Sequence, residues 1–173
     1  MSSAMVSRFS IFEIAVNHED WIEWATGNGV DYRITSFINF RPDLLYTFKP
    51  DTAEQPYASP RTWSMTNRVL SIMDGHPIKE LPVLASLVGE GVASEFLTYL
   101  ELQKDLPTFE AIVANPTGIP VKQDLSIRWA LMGMVCHKVT EKTLSQVITF
   151  IKRFTDDLQV VAMRELVQRH PEL

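Results

Sequence analysis

The sequence predicts an all-α fold with one short N-terminal β-strand, on three observations. Apolar residues recur at spacings of three and four over most of the chain, which is the helical pattern. Ser, Thr, Asn and Asp caps or first-position prolines stand before those runs. Only residues 9–16, "FSIFEIAV", combine aromatic and branched residues with the imperfect alternation of a strand. A solitary strand cannot satisfy its own backbone groups, so this one is expected to pair outside the helical part of the chain.

The helices follow in order. Asn17 caps a helix whose first turn holds Glu19 and Asp20, and Gly27 and Gly29 close it. "VDYRITSFINF" carries apolar residues at Val30, Ile34, Phe37 and Ile38 until Arg41-Pro42 breaks the pattern. "PDLLYTF" opens on Pro42 at a first helical position and predicts a short helix. Residues 49–59, "KPDTAEQPYAS", are polar with two prolines and predict a loop. Ser59 then caps and Pro60 begins a helix that runs to about Ile72.

"MDGHPIKELP" is a second connector, and from Val83 helix resumes in two pieces around "GEG" at 89–91. "PTFEAIVANP" predicts a short helix. "LSIRWALMGMVCHKV", "LSQVITFIKRF" and "DDLQVVAMRELVQRH" show amphipathic spacing and complete a set of about seven or eight helices.

Composition narrows the function. A chain of 173 residues fits one domain, or one with a small appendage. The net charge of -5 argues against direct nucleic-acid binding, which needs a surplus of Lys and Arg. The single cysteine, Cys136, leaves no internal disulfide and no basis for a zinc cluster. No apolar run approaches the roughly 20 residues of a membrane span. The first fifteen residues lack a signal-peptide pattern, so a soluble, cytoplasmic chain without membrane partners is expected.

Phosphate-loop, zincin and nucleophile-elbow motifs are absent, and "GEGVAS" lacks the strand and third glycine of a dinucleotide loop. "HED" at 18–20 sets three potential ligands side by side, but consecutive helix positions point apart, so a solvated helix start is expected. His137, beside Cys136 on an apolar helix, reads as a buried, satisfied histidine. Trp21 and Trp24 share adjoining parts of a helix face and read as core or interface. Two arginines stand out. Arg8 precedes the strand, and Arg61 sits in "SPR" at a helix mouth, where the helix dipole disfavours a cation by some tenths of a kcal/mol. Each is either a surface ion pair, worth about 0 to 1 kcal/mol, or a group awaiting an anion.

In order and spacing, "AMVSRF", "DWIEWATGNG", "FINFRPDLLYTF", "YASPRTW" and "GEGVASEFLTYL" resemble the C-terminal part of a MoxR-like AAA+ ATPase of phage or bacterial type. The resemblance covers residues 4 to 115 and thins beyond them. It implies a helical lid-type bundle divided into a remnant of the last core strand (1–16), a lid domain (17–115) and a C-terminal helical extension packing on the lid (116–173). It makes Arg8 an arginine finger reaching the γ-phosphate bound by a neighbouring subunit. Arg61 becomes the second sensor for nucleotide bound in cis, aimed by Ser59 and Pro60.

The implied cofactor is ATP, with magnesium in a nucleotide-binding core that should precede Arg8, where only seven residues stand. Tight nucleotide binding or turnover by this chain alone is therefore not expected. The implied partners are that core and the neighbouring subunits of a ring, with a client protein unidentified. The competing readings are an independent helical binding or adaptor protein, and a small α-helical enzyme using His18, Glu19 or Asp20.

Overall fold

The computed structural model describes residues 8, 10, 15–52, 54–73 and 80–172 of the chain. Nine α-helices form among them. They are α1 (His18–Gly27), α2 (Tyr32–Phe40), α3 (Pro60–Met73), α4 (Glu80–Val88) and α5 (Glu90–Lys104), followed by α6 (Phe109–Ala114), α7 (Leu125–Lys138), α8 (Leu144–Ile151) and α9 (Asp156–Arg169). Single 3-10 turns occupy Pro42–Leu44, Pro50–Thr52 and Glu141–Thr143. No strand forms among the described residues. The strand expected at 9–16 lies mostly outside them, and its described members Ser10, Ala15 and Val16 are irregular. The connector at 74–79 also lies outside them.

Local chemistry sets the helix ends. Asn17 Oδ1 accepts from the Asp20 amide at 3.1 Å, starting α1. Thr108 and Asp124 cap α6 and α7 in the same way. The helix expected over "PDLLYTF" is only a 3-10 turn. Past it the Thr47 amide donates to the distant Ala58 carbonyl rather than to a local one, and Leu44 O accepts from Trp63 Nε1 at 3.0 Å. Gly89 separates α4 from α5 at φ +87°, and a Cβ there would lie 2.8 Å from the Pro56 carbonyl oxygen. Only glycine fits both the backbone angle and that approach.

Packing centres on α2 and α7, whose contact is the most extensive between any two elements. Two apolar clusters meet at this seam. In the first, Phe37, Trp63, Phe96 and Tyr99 interlock, with ring centroids 5.1 to 5.8 Å apart. The second gathers α6 to α9 around Leu131, Val135 and Phe150. Ala130 of α7 belongs to the first cluster and Leu131 to the second, so α7 is shared by both.

The seam also buries polar groups. Ser36 Oγ accepts from the Tyr99 hydroxyl at 3.0 Å, and burial pushes that phenol well above its ordinary value. Thr35 Oγ1 accepts from Arg169 at 2.8 Å, and Arg169 Nε donates to Glu165 Oε1 at 2.8 Å. Helix α9 packs on both α7 and α1, which brings this network beneath the first turn of α1.

Candidate functional site

The mouth of α3 is built as a rigid frame around an exposed cation. Ser59 Oγ accepts from the Thr62 amide at 3.2 Å, while Thr62 Oγ1 accepts from the Ser59 amide at 2.8 Å. This reciprocal pair satisfies two backbone donors and fixes the entry angle of the chain. Pro60 starts the helix. On either side of the turn, Ala58 and Trp63 are fully buried. Thr47 closes the preceding loop, its amide donating to the Ala58 carbonyl and its hydroxyl accepting from the Ala58 amide, each at 3.0 Å.

Arg61 is exposed on this frame, with no hydrogen bond or ion pair among the described residues. Its own amide lies in the first turn, where helical donors have no internal partner. On the loop that precedes the turn, Tyr46, Phe48 and Tyr57 form an aromatic group, with Phe48 and Tyr57 rings 5.0 Å apart. Arg8 is also exposed, in a turn. Ser59, Pro60 and Arg61 thus share one helix mouth.

A second concave region escaped the sequence. A cleft of about 440 Å³ opens between α1, α2, α7 and α9. His18, Glu19 and Asp20, in the first turn of α1, all line its rim, and they do not converge with other ligand groups as a metal site among the described residues. The first turn of α1 runs along the rim, so neighbouring positions reach the same opening from different sides. Glu19 and Asp20 remain exposed, but His18 is half-buried. Its imidazole faces the Ile38 carbonyl and the Asn39 side chain, and burial lowers its pKa, favouring the neutral ring.

The cleft floor holds Asn39 of α2 and Glu165 of α9. Glu165 is 3% exposed. Its Oε1 pairs with Arg169, but its Oε2 has no hydrogen-bond partner, nor have His18 Nε2 and Asn39 Nδ2. A buried polar atom without a partner costs about 1–3 kcal/mol, so three around one cleft mark it as a place for polar contact. Burial drives the Glu165 pKa upward and Arg169 opposes it. No spacing pattern marked Glu165, because an i, i+4 Glu–Arg pair ordinarily lies on a solvated helix face.

The other candidates resolve plainly. His137 is exposed and stacks on Tyr32 with ring centroids 4.9 Å apart, so it is not the buried histidine expected beside Cys136. The register of α7 sends Cys136 into the core and His137 to its edge. Trp21 is 6% exposed and Trp24 47%, so only the first belongs to the core. Among the described residues, no three His, Cys, Asp or Glu side chains stand together as a metal site, and no helix is long and apolar enough to cross a membrane.

No protein-family model, curated protein or solved structure matches this chain.

Proposed function

We propose that this chain acts as the helical lid region of a MoxR-like AAA+ ATPase assembly, in which Arg61 answers to the phosphates of nucleotide bound in cis. Arg61 is the observation that carries this reading. It is an exposed guanidinium without a partner among the described residues, on a turn held rigid by Ser59, Thr62 and Trp63. A guanidinium so placed can offer two parallel N–H donors to phosphate oxygens, and the open amides of the first turn add positive potential. Arg8, exposed ahead of the helical part, would reach the nucleotide of a neighbouring subunit. ATP would supply the phosphoryl group, and its magnesium is assigned to the nucleotide-binding core rather than to this chain.

Arg61 is tested by nuclear magnetic resonance titration of the 173-residue chain with ATP. Weak, saturable shifts of the Arg61 Nε–H signal and of the Tyr57 to Trp63 amides are expected, and Arg61→Ala should remove them. Equal shifts in the variant would overturn the role of Arg61. ATP turnover by the chain alone, abolished by a substitution within it, would overturn the lid reading.

A second reading, an independent helical binding or adaptor protein, rests on α9. Val160, Met163 and Val167 recur at helical spacing and remain exposed, Val160 at 61% and Val167 at 66%. Such a stripe suits a partner helix. Retained partner capture by Arg61→Ala, lost on Val160→Asp, would favour this reading over the first.

A further inference from the structure

We propose that the cleft between α1, α2, α7 and α9 is a binding site for a primary ammonium group carried on an alkyl chain. The inference does not involve Arg61. Its foundation is Glu165 Oε2, an acceptor on a side chain only 3% exposed, which lines the cleft and has no hydrogen-bond partner. The other carboxylate oxygen is fixed by Arg169, itself held by Thr35, so the free oxygen cannot swing away without breaking that network.

His18 adds a second acceptor. In a neutral imidazole one ring nitrogen carries the proton and the other accepts. Nε2 of the half-buried ring has no hydrogen-bond partner, and in the tautomer protonated at Nδ1 it accepts. An ammonium group has three donors and no acceptor, so it suits a cleft whose unpartnered atoms include these two.

Charge and shape select in the same direction. The lining carries Glu19, Asp20, Glu23 and Glu165 against the single Arg164, and Arg164 already lies 3.8 Å from Glu19. The surplus of negative charge favours a cation. Ile22, Val161 and Trp129 give the cleft an apolar wall suited to an alkyl chain, and the indole face attracts a cation. A cleft of about 440 Å³ lies within the range of small-molecule sites. The alkylammonium can come from a free amine or from a lysine side chain, and these share the recognised chemistry.

Magnetic resonance titration of the full chain separates the cases, read at the His18 ring and the Trp129 indole. The probes are n-butylammonium chloride, the peptide acetyl-Gly-Lys-Gly-amide, and tetramethylammonium, which has charge but no N–H donors. Saturable shifts with n-butylammonium or the peptide are expected, at least tenfold weaker in Glu165→Gln and absent with tetramethylammonium. The tighter of the two binders identifies the source. Should Glu165→Gln misfold, His18→Phe provides the same test, with at least fivefold weaker binding expected. No saturable shift from either amine, undiminished binding in a folded variant, or equal binding of tetramethylammonium would overturn the proposal. A cleft that holds only water gives the first of these results.

Discussion

Ser36 of α2 and Gly133 of α7 meet so closely that a Cβ on residue 133 would lie 2.7 Å from Ser36 Cβ and 3.1 Å from its Oγ. Ser36 cannot yield, because its hydroxyl is bonded by Tyr99 and the atom in the way is its Cβ rather than a flexible tip. Overpacking of this kind costs about 1–3 kcal/mol, while alanine's better helix propensity returns about 1 kcal/mol. Gly133→Ala should therefore lose up to about 2 kcal/mol in denaturant unfolding, although the same exchange in an open helix stabilises. A raised midpoint, as an open helix would give, would mean that α2 can move away from α7 to admit the methyl group.

At the α3 mouth, stability and anion response should divide between neighbouring residues. Ser59→Ala removes the side-chain acceptor for the Thr62 amide and should cost about 1 kcal/mol. Arg61→Ala removes an exposed side chain with no partner among the described residues, and should stay within about 0.5 kcal/mol of the parent. A comparable loss in both would make Arg61 a structural residue. Chemical denaturation of the two variants decides it.

The buried carboxylate predicts a pH dependence of unusual sign. Because burial raises the folded pKa of Glu165 above its ordinary 4.5, the native state holds the proton more tightly than the unfolded chain. Its contribution is therefore present below pH 4.5 and is lost as pH rises through the folded pKa. Relative to Glu165→Gln, the parent chain should lose stability with rising pH once 4.5 is passed. Urea midpoints of both proteins across that window provide the check, and parallel curves would exclude the effect.

His18 acts in the opposite direction. Burial lowers its folded pKa below 6.5, so its contribution is present above pH 6.5 and is lost as pH falls through the folded pKa. His18→Gln should flatten that part of the stability profile. An unaltered slope below pH 6.5 would show that the ring titrates as it does in the unfolded chain.

Cys136 should be inert while the chain is folded. The thiol is buried and its Sγ lies 3.6 Å from the Ala162 carbonyl, and burial raises its pKa well above the usual thiol range. Alkylation by iodoacetamide at pH 8 should proceed at the rate of unfolding and accelerate sharply in denaturant. Labelling at the rate of a free thiol would contradict the packing of α7 against α9.

The helical class and most helix ends were readable from the sequence because they depend on local chemistry. Asn17, Pro60 and the positive φ of Gly89 each act within one or two turns of chain. The Ser59 cap and the exposure of Arg61 were readable for the same reason. The cleft was not, since it depends on α9 folding back under α1, which sets Glu165 near His18 across more than 140 residues of sequence. The split between Trp21 and Trp24 and the outward turn of His137 were hidden too, because they follow from which neighbour covers each helix face. The short helix expected from Pro42 stops after one 3-10 turn, beyond which the Thr47 amide bonds the distant Ala58 carbonyl.

The elbow at Gly89 has a mechanical meaning. Its backbone lies against Pro56 with no room for a methyl group, and Pro56 stands five residues ahead of Arg61 in the segment that enters α3. Gly89 therefore ties the angle between α4 and α5 to the position of the Pro56–Arg61 segment. A change of angle between α4 and α5 would push on the Pro56–Arg61 segment, and any force drawing Arg61 outward would be felt as torque on the elbow.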